Sequence, residues 1–251
     1  MRYIISLTLL FLISSCEKFD FQWNLPRNNQ GDTLRNANIN GSDWPLAKCS
    51  SSRTLVPLGS TVQFTSNSLN KPTDFEWFFE GGSPLISNAS SVSVTYNSIG
   101  SYDVKLKVKN GVGFDSTIRT DYIKSYYFKS FANGLFDGWS QNGWNFSTSP
   151  TCQGCIYVWQ NSGSGNQVYT LSKNFGAING KLDLNFYYNI YSPGGTLRVL
   201  VNGSEVWSSS GYSAEDIQLQ LPEVGNYSVT FEATIGYTQT IYLNNIKIMP
   251  R

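Results

Sequence analysis

Cysteines, carboxylates and aromatic rings are the groups through which this chain could do chemistry, because its 251 residues include no histidine. The lack of imidazole excludes Ser-His-Asp and Cys-His nucleophilic sites, and it excludes transition-metal sites that depend on histidine ligands. Hydrolysis by two carboxylates stays open. The second half of the chain offers seven candidates: Asp137, Asp183, Glu205, Glu215, Asp216, Glu223 and Glu232.

Most of these seven carboxylates fall on outer strand faces or in turns, where charged side chains usually keep a sheet soluble. A glycoside hydrolase or lyase would need two of them together in a cleft, and it stays open as the third hypothesis. We predict that the protein has no catalytic residue and is not an enzyme.

Cys152 and Cys155 have the two-residue spacing of a metal or redox motif. Zinc is disfavoured, because only Cys49 remains as a further thiol once Cys16 is set aside, and no histidine can complete four ligands. A thioredoxin-type site needs a helix start, whereas residues 156–159 have a strand pattern. We therefore predict a disulfide between Cys152 and Cys155, with two free thiols as the alternative and with Cys49 unpaired.

Aromatic rings in the second half could stack on the flat apolar faces of sugars while Asn and Gln amides bond the hydroxyls. The rings are Trp139, Trp144, Trp159, Tyr187, Tyr191, Trp207, Tyr212 and Tyr237. Most large rings fill a core instead. Tyr187 has the opposite strand parity to Phe186 and Tyr188, so we expect it to be exposed. We predict that Tyr187, Tyr191 and Trp159 bind the ligand.

The elements that must position these rings are strands, since residues 126–248 show no helical period. Apolar and polar residues alternate along 182–188, 217–221 and 227–233, as in half-buried antiparallel strands. Another apolar alternation closes on Asn202-Gly203, the strongest two-residue hairpin signal. In the last strand, Ile241 and Leu243 share a face with Ile246 and Ile248 only if one extra residue is inserted, which predicts a β-bulge at Asn244-Asn245.

The second half resembles the jelly-roll modules of carbohydrate-binding and adhesin proteins. The residues that carry the resemblance are Phe136-Asp137-Gly138-Trp139, 197–207 and Tyr242-Leu243-Asn244-Asn245-Ile246-Lys247-Ile248. In many such modules an aspartate near the position of Asn245 helps to hold a structural calcium. The amide here removes that charge, and we predict no metal and no cofactor.

The first half has the pattern of a β-sandwich over residues 54–125. Apolar and charged residues alternate along 102–109, which gives one inner and one outer face. Val62 and Phe64 alternate in the same way, and 92–96 forms another inward row. Short antiparallel strands at this spacing predict a sandwich.

This sandwich resembles a PKD domain, an immunoglobulin-like module of extracellular proteins. The matching residues are Gly59-Ser60-Thr61-Val62-Gln63-Phe64, Trp77-Phe78-Phe79-Glu80-Gly81-Gly82, Tyr96, Gly100-Ser101-Tyr102-Asp103-Val104 and Asp121-Tyr122-Ile123. Most PKD domains have an Asp-Gly turn after the tryptophan strand, and 80–84 is similar to the variant in secreted Bacteroidetes proteins. The resemblance implies a spacer or interaction module. Almost no linker separates it from the second half, so we expect stacked domains.

The first residues resemble the leader of a bacterial lipoprotein. Residues 1–15 contain Arg2 and a short apolar run, which fits a secretory signal peptide and is too short for a membrane-spanning helix. Leu12-Ile13-Ser14-Ser15-Cys16 resembles a lipobox. The resemblance implies that Cys16 begins the mature chain and carries lipid, which anchors the protein to the outer membrane outside the cytoplasm, with exposure at the cell surface left open. An ordinary signal peptide with a chance cysteine is the alternative.

Residues 16–53 lack sustained periodicity and are rich in Asn, Gly, Asp and Ser, so we predict a tether with one edge strand near its end. Trp23 and Trp44 are unusual in a tether, and they would dock against a domain or lie near the membrane interface. Thr33 and Ser116 each follow an aspartate in a pattern that resembles an O-glycosylation signal of secreted Bacteroidetes proteins. Solvated turn residues are the alternative for both.

Composition limits the partners. Charged residues make up 14% of the chain, aromatic residues 15%, and the net charge is +1, so no basic field exists to attract nucleic acid. We predict an all-β protein, with an immunoglobulin-like (PKD) β-sandwich at 54–125 followed by a jelly-roll β-sandwich at 126–251. The predicted function is glycan binding by the second sandwich, presented on the first as a spacer. The alternative is a structural or adhesin component that binds a surface protein.

Overall fold

Strands are the only regular structure in the part of the chain that the computed structural model describes, residues 43–149, 152–160, 165–178, 180–223, 225–236 and 238–251. The predicted all-β class is confirmed. Within those ranges no helix has the length and apolar character to span a membrane. Cys16, Trp23, Thr33 and Tyr237 lie outside the described residues.

Two sheets form the first half of the described chain. Its strands are β1 (Cys49–Ser51), β2 (Leu55–Pro57), β3 (Thr61–Ser66), β4 (Asp74–Phe79), β5 (Gly82–Ser83), β6 (Ile86–Ser87), β7 (Ser91–Tyr96), β8 (Gly100–Lys109) and β9 (Phe114–Lys129). One sheet has the order β1-β3-β7-β5, and the other contains β6, β4, β8 and β9, with β2 parallel to β9. The period-two residues meet between them, including Val62, Phe64, Trp77, Phe79, Tyr96, Val104, Leu106 and Val108, all of which are buried. Alternation therefore located this core correctly.

The last residues of the segment predicted to be a tether belong to the first sandwich. The edge strand expected there is β1, which pairs with β3. The ring of Trp44 lies over Gly113, where an added Cβ would come within 2.3 Å of the ring. A glycine is needed at that position, and Trp44 docks against the sandwich.

Strand β9 runs without a break from the first half of the molecule into the second. Its first part pairs with β8, and its end, Tyr127 to Lys129, pairs with Ile246 to Ile248 of the last strand, β19 (Thr240–Pro250). The boundary expected between residues 125 and 126 thus falls inside one strand. Ile99, from a turn of the first half, packs into the core of the second. The two sandwiches are joined through backbone pairing as well as side-chain packing.

The second half is a β-sandwich with a larger core. Its further strands are β10 (Ser140–Asn142), β11 (Asn145–Phe146), β12 (Ile156–Trp159), β13 (Gln167–Ala177), β14 (Leu182–Ile190), β15 (Thr196–Val201), β16 (Ser204–Ser210), β17 (Ser213–Gln220) and β18 (Asn226–Ile235). One sheet is five-stranded with the order β10-β13-β18-β15-β16. In the facing sheet β19 pairs with β14, which pairs with β17, while β12 and β9 pair with the two ends of β19.

Two local predictions for this half are confirmed. Asn202 and Gly203 both have positive φ, 50° and 81°, in the turn between β15 and β16, as the hairpin signal requires. In β19, Asn245 and Ile246 together face the single residue Phe186, and Asn245 has φ of 54°. This bulge lets Leu243 and Ile246 both point into the core at 0% exposure.

A buried lysine fixes the loop that follows β9. Lys129 is 4% exposed, and its Nζ donates hydrogen bonds to Oδ2 of Asp137 at 2.5 Å and to Oδ1 of Asn133 at 3.3 Å. The hydrogen bond from Lys129, with another from Asn133, lowers the pKa of the Asp137 carboxyl. Since a buried ammonium is costly unless paired, these contacts hold residues 129–137 in one arrangement.

The shared strand predicts that the two sandwiches unfold together. We expect Leu106→Ala, at a position 1% exposed in the first core, to lower the free energy of unfolding by about 2 to 5 kcal/mol. Calorimetry should show a single transition that moves as a whole. Ser93→Ala, at an exposed position of β7, should change the free energy by less than about 0.5 kcal/mol. Two transitions, of which only one responds to Leu106→Ala, would show that the halves are independent.

Candidate functional site

The candidate site lies on the outer face of the sheet formed by β12, β14 and β19. Side chains alternate between the two faces along these strands, so the inward residues are buried. Several of the outward positions carry aromatic rings. The rings are Tyr157 and Trp159 of β12, Tyr187 of β14, Tyr191 directly after β14, and Tyr242 of β19. We call these five residues the aromatic patch.

Backbone pairing sets the rings of the patch side by side. Tyr157 and Asn189 are the direct partners of Tyr242 on its two sides, and Trp159 is the partner of Thr240. The backbone N–H of Tyr191 donates to the carbonyl oxygen of Thr240 at 2.9 Å. Tyr242 therefore lies at the centre, with ring centroids 5.7 Å from Tyr157 and 5.6 Å from Tyr191.

Two depressions meet at Tyr242. The larger, of about 350 Å³, is lined by Ser147, Thr148, Ser149, Tyr157, Trp159, Thr240 and Tyr242. The smaller, of about 60 Å³, is lined by Cys152, Tyr187, Asn189, Tyr191 and Tyr242. Burial, and then the neighbouring Tyr191 and Tyr157, raise the pKa of Tyr242. Its phenol stays protonated at neutral pH and can donate a hydrogen bond.

The structure brings the three predicted ligand-binding residues into this one patch. Trp159 is 50% exposed and Tyr191 is 58% exposed. Tyr187 faces outward as its parity predicts, but the expectation that it is exposed needs correction, because its side chain is half-buried. It forms one wall of the smaller depression, which Cys152, Asn189, Tyr191 and Tyr242 also line.

Sequence reasoning missed Tyr157 and Tyr242. The signal was present, since Tyr157 lies between Ile156 and Val158, and Tyr242 lies between Ile241 and Leu243. These four neighbours are fully buried. Strand parity alone would have placed both rings on the outer face.

The other aromatic residues considered from the sequence lie elsewhere. Trp139 and Trp144 are buried in the core, at 5% and 3% exposure. Trp207 packs edge-on against Phe186. Tyr212 is 74% exposed but lies in the connection between β16 and β17, outside the aromatic patch.

A disulfide joins Cys152 and Cys155, the pair favoured by their spacing. The loop that this bond closes packs against the sheet. Nδ2 of Asn244 donates to the carbonyl oxygen of Gln153 at 3.3 Å. The backbone N–H of Phe131 donates to the carbonyl oxygen of Gly154 at 3.1 Å. Cys152 thereby forms a wall of the smaller depression. Cys49 has a free thiol, and burial raises its pKa.

Most of the candidate carboxylates form ion pairs with lysine or arginine side chains. Glu205 and Glu232 both pair with Arg198, Asp183 with Arg251, Glu223 with Lys181, and Asp137 with Lys129. Among the residues that the structure describes, no carboxylate lines the two depressions at Tyr242. The chemistry that these depressions offer is stacking and neutral hydrogen bonding.

A third depression, of about 470 Å³, lies further along the same face. It is lined by Phe128, Asn185, Phe186, Asp216, Ile217, Gln218, Asn245 and Lys247. Asp216 is its single carboxylate, so it does not supply the pair that glycoside hydrolysis needs. Among the described residues no group of three or more Asp, Glu or Cys side chains is arranged to hold a metal ion.

Ser116, one of the two predicted glycosylation sites, is exposed on β9. It lies in a strand rather than in the turn that the alternative supposed. Glycosylation of Ser116 and of Thr33 stays a prediction.

Comparison with known proteins identifies the first sandwich. Residues 47–120 match the PKD domain family, so the first half of the described chain is a PKD domain, as its motifs predict. No curated protein matches the chain.

Several solved structures are distantly similar to about half of the chain. TmCBM61 in complex with beta-1,4-galactotriose is 11% identical, and the match covers 49% of this chain and 94% of that one with a TM-score of 0.42. The K1 cleaved adhesin domain of Lys-gingipain from Porphyromonas gingivalis W83 is 16% identical, with coverage of 50% and 98% and a TM-score of 0.40. The carbohydrate-binding module CBM36 in complex with calcium and xylotriose is 14% identical, with coverage of 48% and 98% and a TM-score of 0.35.

The disulfide gives a stability prediction. We expect the double substitution Cys152→Ser, Cys155→Ser to lower the free energy of unfolding by about 2 kcal/mol, because the bond closes only a short loop of the unfolded chain. Urea unfolding checks the energy. Alkylation of the denatured, unreduced protein should label Cys49 and neither Cys152 nor Cys155. Labelling of all three, with an unchanged unfolding midpoint in the variant, would contradict the bond.

Proposed function

We propose that the second sandwich binds glycan without chemical turnover, through the aromatic patch. The observation that carries the proposal is the gathering of five outward rings in one patch centred on Tyr242, beside hydroxyl and amide side chains. Rings supply flat apolar surface for the C–H faces of a sugar, and adjacent polar groups bond its hydroxyls.

The chemistry around the patch suits an uncharged stretch of sugar. Ser147, Thr148 and Ser149 offer hydroxyls and backbone groups on one side of Tyr242, and Asn189 offers an amide on the other. Trp159 and Tyr191 are the most accessible rings. Because no carboxylate lines either depression, the patch has groups for holding a sugar and none for protonating a glycosidic oxygen.

The PKD domain would serve as a spacer, and the lipid on Cys16 would tie the protein to the outer membrane outside the cytoplasm. The lipobox-like residues before Cys16 support this part of the proposal. An anchored binding face would gain avidity from many copies on one surface, so that weak contacts with single glycan chains suffice.

A second candidate function is protein binding at the cell surface, and one observation favours it. Ile118, Lys105, Phe78 and Ile86 are direct partners across four strands of the PKD domain. Ile86 is 67% exposed and Ile118 is 54% exposed. A stoichiometric partner recovered from outer membranes, lost with Ile86→Ser and indifferent to sugars, would favour this function over the first.

Truncating the accessible rings tests glycan binding. We expect Trp159→Ala and Tyr191→Ala each to weaken retention on a polysaccharide by roughly two- to tenfold, since an aromatic contact contributes about 0.5 to 1.5 kcal/mol beyond its area. Affinity electrophoresis against a panel of neutral and acidic polysaccharides measures this. Tyr212→Ala, which removes an exposed ring outside the patch, is the matched control and should bind as the unaltered protein does. Failure of the unaltered protein to bind any polysaccharide would overturn the proposal.

Substituting the lipidated residue tests the anchor. We expect Cys16→Ser to abolish incorporation of labelled fatty acid and to release the protein from the membrane fraction, because no thiol is then present at that position to carry lipid. Mass spectrometry of the N-terminal peptide checks the modification directly. A mature chain that begins elsewhere than at Cys16 would contradict the proposal.

A further inference from the structure

A straight row of four side chains crosses the outer face beyond the aromatic patch. Phe128 is the direct partner of Lys247, Lys247 of Asn185, and Asn185 of Gln218. The row therefore runs over β9, β19, β14 and β17, and all four side chains line the third depression. We call it the transverse row.

The transverse row combines a ring, a cation and two amides. Phe128 is 49% exposed, so the face of its ring is accessible to a ligand. Gln218 donates through Nε2 to Asp183 at 2.9 Å, and its side-chain oxygen is left to accept. A ring beside amides is again a surface suited to a sugar.

Lys247 distinguishes this row from the patch. Its Nζ lies 4.6 Å from the centroid of the Tyr126 ring. Among the described residues, no carboxylate oxygen lies within 4.0 Å of that nitrogen. It is the single cation that lines the third depression. An ammonium held against a ring keeps its full charge and is oriented without being neutralised.

The transverse row and the aromatic patch can contact one chain of sugars. Asn185 lies in the row, Asn189 lies beside Tyr242, and the four residue steps from one to the other along β14 span about 13 Å. Tyr187 lies midway on the same face. A short oligosaccharide could reach from one to the other.

We propose that the transverse row is a second binding subsite, and that it takes an acidic sugar unit whose carboxylate meets the ammonium of Lys247. This inference rests on the proposed glycan binding and extends it, because it names the class of ligand: a chain that carries uronic acid units. Phe128 would stack on that unit, and Asn185 and Gln218 would bond its hydroxyls.

Asp216 provides a second charge whose effect on an acidic sugar should be opposite to that of Lys247. It is exposed and lines the same depression, but it pairs with Tyr187 rather than with Asn185, so it lies toward the patch and two strands away from Lys247. A carboxylate there repels an acidic unit and favours placement of that unit at the Phe128 end. Removing the two charges should therefore have opposite effects.

The experiment compares matched hexasaccharides that differ only in carrying a hydroxyl or a carboxylate at C6, for example oligoglucuronate against the corresponding glucose oligomer, with galactose and mannose pairs alongside. Titration calorimetry measures the affinities. For the unaltered protein we expect the acidic member of a bound pair to bind roughly two- to fivefold more tightly, as for a partly exposed ion pair. Raising the salt from about 0.05 M to about 0.5 M should remove most of that preference.

Variants then assign the preference to one residue. Lys247→Gln should bring the ratio of acidic to neutral affinity to about one, Lys247→Arg should retain the preference, and Asp216→Asn should increase it. Lys105→Gln is the matched control, because Lys105 also lies over a ring, that of Phe78 at 5.5 Å, but in the PKD domain.

The outcomes separate this inference from the proposed function. Equal affinity for acidic and neutral oligomers, or a preference that survives Lys247→Gln, would overturn the acidic subsite and leave glycan binding intact. Failure of every oligomer to bind would overturn both.

Discussion

The backbone hydrogen bonds of β9 are the constraint on which the rest of the structure depends. One end of this 16-residue strand completes a sheet of the PKD domain, and the other end pairs with β19. A strand that belongs to two sandwiches joins them directly, since its backbone takes part in the ladders of both. The PKD domain is therefore connected without a linker to the sheet that bears the aromatic patch.

An ion pair between Lys129 and Asp137 stabilises the end of β9. Lys129, the last residue of β9 and the partner of Ile246, is buried, and its ammonium contacts Asp137, Asn133 and the face of Phe131. Lys173 adds hydrogen bonds to the carbonyl oxygens of Asp137 and Gly138. The ammonium groups of Lys129 and Lys173 thus hold the loop after β9 against the sheet. Backbone pairing with β19 and this buried charge together hold the end of β9 and the loop after it in place.

Strand periodicity gave most of the fold and part of the site. It located both cores, the hairpin at Asn202-Gly203 and the bulge at Asn245, because each depends on the local order of apolar residues. It could not show that the end of β9 pairs with β19, since pairing between distant segments leaves no local signal. For the same reason it overestimated the exposure of Tyr187, which lines a depression together with Cys152, a residue more than thirty positions earlier in the chain. Tyr157 and Tyr242 were within its reach, because both follow simple parity.

The bulge in β19 has a consequence for the shape of any polymer that lies along this face. Bulges sharpen the right-handed coiling of a strand pair, and Asn245 falls between Tyr242 and Lys247, that is, between the patch and the transverse row. The transverse row is consequently rotated relative to the aromatic patch about the long direction of the sheet. A polymer that keeps contact with both must wind as it advances, so a flat ribbon-like chain would lift away from one row while a helically coiled one would follow the surface.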